Sequence, residues 1–130
     1  MKVGIIQYPG SNCDRDTYNF FDDPIFISYK ETELPEIDIL VIPGGFAFGD
    51  RHYEEATGEY SISPGKMAVS SPVSKVIFKA AENKIPIIGI CNGFQILIQL
   101  GLLPGSLIKN SNENQIFTSK RVKCDLNLIL

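Results

Sequence analysis

Apolar residues come in short runs broken by glycine and proline, the signature of buried strands set between turns. Val3 to Gln7 is the first such run, and Tyr8-Pro9-Gly10 closes it. Ser11-Asn12 then offers a helix N-cap, with Asp14 and Asp16 in the first turn, where the dipole favours acid. Phe20 and Phe21 are expected to anchor that helix. Ile25 to Ser28 makes a second strand and Ile37 to Ile42 a third, ended by Pro43-Gly44-Gly45. From Phe46 to Ser71 no regular period emerges, and an irregular stretch of that length is usually functional or disordered.

Regularity returns at Ser71, a cap residue followed by Pro72 at a first helical position. Val73, Val76, Ile77, Ala80 and Ala81 then repeat at helical spacing. Ile85 to Ile90 is nearly all apolar, as expected of a central parallel strand buried on both faces. Phe94 to Leu100 forms another helix, stopped by Gly101 and Pro104. Beyond a polar, Asn-rich stretch from Lys109 to Gln115, Ile116 to Leu126 reads as one or two strands, or a hairpin. The alternation predicts an α/β fold: an open, mostly parallel sheet with helices on both faces.

Composition narrows the function. The chain has 130 residues, enough for one core, with 44% apolar and 21% charged residues. A net charge of -3 with no Lys/Arg cluster argues against nucleic acid or an anionic membrane as partner. No apolar run is long enough to cross a bilayer, and the N-terminus lacks a signal-peptide pattern. Cys13, Cys91 and Cys124 are odd in number and widely spaced, which suits neither a disulfide framework nor a zinc site. A cytoplasmic chain with reduced thiols is the expectation. Each cysteine is then either a small core residue or a reactive one, and its setting decides which.

Cys91 has the most telling setting. It ends the most apolar strand, immediately before a helix, in the frame Gly89-x-Cys91-x-Gly93. That is the pattern of a nucleophile elbow with sulfur in place of oxygen. A Cβ at Gly89 or Gly93 is expected to meet neighbouring backbone in so sharp a turn, and the nucleophile itself to sit in strained φ/ψ. The helix N-terminus beside the sulfur favours negative charge there and offers N–H groups to an oxyanion. Pro43-Gly44-Gly45-Phe46 also follows a strand end, so it is expected on the same edge of the sheet. By itself it is an ordinary turn. Beside the elbow, a glycine N–H there would join that of Asn92 in a two-donor oxyanion hole.

These residues match a known family. Gly89-Ile-Cys-Asn-Gly-Phe-Gln95, preceded by Pro43-Gly-Gly-Phe-Ala-Phe-Gly-Asp50, resembles the triad-type (class I) glutamine amidotransferases, whose domain is flavodoxin-like. Gln7-Tyr-Pro-Gly-Ser-Asn-Cys-Asp-Arg-Asp16, Asn92, Phe94 and Gly101-Leu-Leu-Pro-Gly105 are similar to the glutaminase subunits of phosphoribosylformylglycinamidine synthase within it. The resemblance implies that Cys91 attacks the side-chain amide of glutamine to form a γ-glutamyl thioester. It also implies that Gly45 and Asn92 hold the oxyanion, and that Gln95, Gly44 and Phe46 contact glutamine. Ammonia would pass to a large synthetase subunit, in a complex that in relatives includes a small accessory subunit, to serve purine biosynthesis. No cofactor is implied for this chain, since ATP and magnesium belong to the synthetase.

One part of the pattern departs. The family's triad adds a His and a Glu, in a segment after the last strand matched here. The sole histidine is His52, in Asp50-Arg51-His52-Tyr53, with Glu54 and Glu55 beside it; a solvated loop histidine is the simpler reading. The expectation is therefore one amidotransferase domain over residues 1–130 with its C-terminal part missing, catalytically incomplete alone. Cys13 is assigned a structural or subunit-contact role before a catalytic one, and Cys124 a place in the core. The loop from Phe46 to Ser71 covers glutamine, meets the synthetase, or is plain surface. Two alternatives remain: another cysteine hydrolase on the same scaffold, and a degenerate subunit that only binds the synthetase.

Overall fold

The structure, a computed structural model, describes residues 1–49 and 65–107. Its centre is a four-stranded sheet in the order β2-β1-β3-β4. The strands are β1 (Lys2–Gln7), β2 (Asp23–Ser28), β3 (Ile39–Ile42) and β4 (Ile87–Gly89), and all pair in parallel. The open parallel sheet expected from the sequence is what forms. Pro24 falls in β2, an edge strand, where a missing N–H is tolerated.

Side-chain alternation divides the core. Val3, Ile5 and Val41 point to one face, where Tyr18 and Phe21 of the first helix region pack on them. Ile6, Leu40 and Ile42 point to the other, into a larger cluster with Val73, Val76, Ile77, Ala80, Ile96 and Leu97. The helices are α1 (Asp14–Phe20), α2 (Lys66–Val69), α3 (Ser74–Glu82) and α4 (Asn92–Gln99). Thus α1 covers one face, while α3 and α4 bury their apolar sides against the other.

Several sequence expectations shift. Neither Ser11 nor Asn12 caps α1; Cys13 occupies that position, and Ser11 Oγ instead accepts the Tyr8 N–H at 3.1 Å, closing the turn. Phe21 anchors as expected, but Phe20 is 82% exposed. Ser71 and Pro72 belong to a turn ahead of α3, where Ser71 Oγ donates to the Ala68 carbonyl at 2.6 Å. Two short elements lie where no period was visible: α2, and a 3-10 turn over Ala47–Gly49. β3 is shorter than the apolar run that predicted it, although Ile37 is still buried.

The largest correction concerns the last strand. β4 is three residues long, and only one face is covered: Ile85 and Ile87 pack into the large cluster, whereas Ile88 is 43% and Ile90 45% exposed. With Phe20, Phe21 and Val41 they line an apolar hollow. An apolar run reports burial on average and cannot say which neighbours supply it. α4 begins at Asn92 and stops as foreseen, with Gly101 at φ 73 and the Leu102 N–H donating to the Leu97 carbonyl. No helix among the described residues is long and apolar enough to cross a membrane. The proposed strands from Ile116 to Leu126, and Cys124 with them, lie outside the described residues.

Candidate active site

The β3–β4 register builds the site. Leu40, Val41 and Ile42 pair with Ile87, Ile88 and Gly89, and the Ile90 N–H extends the ladder to the Ile42 carbonyl at 3.0 Å. Two residues further along each strand, Gly44 comes beside Cys91. A Cβ placed on Gly44 would lie 3.3 Å from that of Cys91 and 3.4 Å from the Ile90 carbonyl oxygen. The glycine turn and the elbow therefore share one edge, at the carboxyl ends of parallel strands, where helix N-termini and loops converge.

At the elbow, Cys91 has φ 52 and ψ -109, a conformation that glycine tolerates and other residues do not. The turn is locked by close approach. A Cβ on Gly93 would fall on the Ile42 carbonyl oxygen, and one on Gly89 would come within 2.9 Å of Gly93 backbone. Cys91 is an exposed free thiol at the N-cap position of α4, and its carbonyl accepts the Gln95 N–H at 3.2 Å. Gln95 is thus one turn away on the same side of the helix, and it is half-buried.

Across from the elbow, Gly45 has φ 129, and a Cβ on it would come within 2.5 Å of the Asn12 nitrogen. Its own N–H has no acceptor among the described residues. The turn after β1 holds this loop from outside: the Phe46 N–H donates to the Gly10 carbonyl at 2.8 Å, and the Phe48 N–H to the Pro9 carbonyl at 2.6 Å. Phe48 sits at φ 57, its ring against those of Tyr8 and Tyr29. Phe46, just before the buried Ala47, is 38% exposed.

Two side chains contribute what the sequence did not reveal. Asn92, expected only for its N–H, also reaches across the site with its carboxamide, accepting the Ala47 N–H on Oδ1 at 3.0 Å. Cys13, expected in a structural or subunit-contact role before a catalytic one, has its Sγ 3.8 Å from the position of a Gly44 Cβ, and its N–H donates to the Gly44 carbonyl at 3.3 Å. Its nearest sequence signal was its place in the Gln7–Asp16 segment, which supplies this wall of the site. His52, Glu54 and Glu55 lie outside the described residues. No three His, Cys, Asp or Glu side chains among the described residues are grouped to hold a metal ion.

A thiol on a strained elbow, facing a glycine loop at the carboxyl edge of a parallel sheet, defines a cysteine-dependent acyl-transfer scaffold. Residues 1–124 match the CobB/CobQ-like glutamine amidotransferase domain, and the chain belongs to that family. It is similar to the phosphoribosylformylglycinamidine synthase subunit PurQ of Aquifex aeolicus (strain VF5), at 38% identity over 97% of this chain and 60% of that protein. The same subunit of Zymomonas mobilis subsp. mobilis is 40% identical over 85% of this chain and 48% of that protein. Among solved structures, PurLQS from Thermotoga maritima superposes with a TM-score of 0.71 at 38% identity, covering 85% of this chain and 49% of that one. The chain spans about half the length of most curated relatives it matches.

Proposed function

We propose that this chain carries the glutamine-binding and nucleophilic part of the glutaminase subunit of phosphoribosylformylglycinamidine synthase. The observation that carries the reading is the approach of the Gly44-Gly45 turn to the Cys91 elbow, with 3.3 Å between the Cys91 Cβ and the Gly44 Cβ position. In this reading the Cys91 thiolate adds to the side-chain carbonyl carbon of glutamine. The carbonyl oxygen takes up negative charge between the N–H groups of Gly45 and Asn92. Collapse breaks the C–N bond as the amide nitrogen takes up the proton the thiol gave up, ammonia leaves, and a γ-glutamyl thioester remains for water to hydrolyse. Gln95, Gly44 and Phe46 contact the glutamine. Ammonia goes to a large synthetase subunit, which uses ATP and magnesium, with a small accessory subunit in the same assembly; the PurQ relatives and the PurLQS structure support this choice of partners.

A glutamine-analogue chloroketone tests the site directly. It is expected to alkylate Cys91 with saturable kinetics, and glutamine is expected to protect. Modification no faster than that by a simple alkyl halide, without protection, would sink the reading. Sustained ammonia release also requires a base, and no histidine stands beside Cys91 among the described residues. Measuring ammonia in parallel with alkylation separates binding and attack from turnover.

A further inference from the structure

The carboxamide of Asn92 is buried, 4% exposed, and its two ends meet different partners. Oδ1 accepts the Ala47 N–H at 3.0 Å, and Nδ2 donates to Oε1 of Gln95 at 3.1 Å. Hydrogen-bond chemistry dictates this direction. A backbone N–H only donates, so the Asn92 atom facing Ala47 must be its carbonyl oxygen. The other end is then the amino group, which only donates, so Gln95 must answer with Oε1. One backbone group on the glycine loop thereby fixes the orientation of two amides in series. The Gln95 Nε2 has no acceptor among the described residues.

We propose that Asn92 is a positioning residue that orients the Gln95 amide, so that Gln95 offers N–H donors and no acceptor to the ligand beside Cys91. The inference rests on the glutamine reading above and deepens it. Glutamine carries acceptors in its carboxylate and amide oxygen, and a donor-only ammonium. A Gln95 side chain held in this orientation serves one of the oxygens and does not serve the ammonium. Gln95 suits this role by position, since its N–H donates to the Cys91 carbonyl. The tie to Ala47 couples the same orientation to the glycine loop, so substrate recognition and the oxyanion side of the site depend on one carboxamide.

Asn92→Asp isolates the effect. A carboxylate still accepts the Ala47 N–H but cannot donate to Oε1, so Gln95 turns its Nε2 toward it and presents Oε1 to the ligand. The chloroketone alkylation of Cys91 in this chain gives a half-saturating concentration and a limiting rate separately. Iodoacetamide, which needs no pocket, reports thiol access. The half-saturating concentration is expected to rise about 10-fold, the size of one hydrogen bond, while the iodoacetamide rate reports separately how far the new carboxylate lowers the reactivity of the neighbouring thiol. Gln95→Glu leaves Asn92 and its tie intact and is expected to weaken binding likewise, which keeps the test open if the first variant folds poorly. Asn92→Asp combined with Gln95→Ala should be no weaker than Gln95→Ala alone, because one variant acts through the other. An unchanged half-saturating concentration in Asn92→Asp and Gln95→Glu, or additive losses in the double variant, would overturn the proposal while leaving the glutamine reading intact. A wild-type chain that the chloroketone does not saturate would overturn both.

Discussion

The two backbone turns that face each other across the site are held in opposite ways. After β3, the chain solves a close approach by omission: Gly45 takes φ 129 without a side chain, and neighbouring carbonyls of Pro9 and Gly10 accept the loop's N–H groups. After β4, a side chain is kept where the backbone disfavours one, and Cys91 sits at φ 52 between Gly89 and Gly93. One turn is the more relaxed, since its left-handed side chain, Phe48, stays in the αL region at φ 57 and ψ 21 and is supported from outside. Cys91, at φ 52 and ψ -109, falls outside that region and is supported by its own helix. Strain is retained only where the surroundings over-determine it, and here it surrounds the sulfur. In the proposed function the strained side carries the attacking thiol and the other side presents backbone N–H groups.

Substitutions can break that contrast at either side. Gly93→Ala should be the most damaging, because its Cβ would fall on the Ile42 carbonyl oxygen and force the elbow off β3. A loss of about 3 kcal/mol or more in urea-monitored unfolding is expected, enough to unfold a marginal domain. Gly45→Ala should cost about 2 kcal/mol from its left-handed φ and the 2.5 Å approach to Asn12. Since the same change displaces a proposed oxyanion donor, turnover in the assembled enzyme should also fall by roughly 100-fold. Cys91→Gly should do the reverse to stability. It relieves φ 52 and is expected to raise the unfolding free energy by about 1 kcal/mol while abolishing chloroketone alkylation. Equal or lower stability of that variant would contradict the assignment of strain to Cys91.

The smallest effect concerns the outer support of the relaxed turn. Tyr8 packs on Phe48 with ring centroids 5.9 Å apart, and its buried hydroxyl makes no hydrogen bond of good geometry. Burial pushes the phenol above its ordinary value, and the neighbouring Ser71 side chain offsets only part of this. A folded-state value above the unfolded one means that the tyrosine's contribution is intact below about pH 10 and is lost as pH rises beyond it. Tyr8→Phe should change stability by less than about 1 kcal/mol at neutral pH and flatten the alkaline decline. Thermal unfolding followed from pH 8 to 11 would reveal it, and an undiminished alkaline slope would rule it out.

How far the sequence reached can be judged from the same residues. β1 and β3 were legible because their side chains are buried on both faces, so the apolar run needs no partner information. The elbow was legible because glycines on either side of a cysteine meet a steric requirement that few other residues satisfy. Ile88 and Ile90 misled because a residue's apolarity does not name what covers it. Ser11 misled because its hydroxyl had two local partners to choose from, and the turn at Tyr8 won over the helix end. α2 and the Asn92–Ala47 bond were invisible for another reason. Four helical residues are too few to establish a period, and a contact across 45 positions exists only after folding.

The pairing of Ile42 with Gly89 also has a consequence for chain length. Each strand residue advances the backbone by about 3.3 Å. Inserting or deleting one residue between Ile42 and Gly44, or between Gly89 and Cys91, would shift one turn past the other by that step. Such length changes should therefore be rejected even where every side chain is preserved.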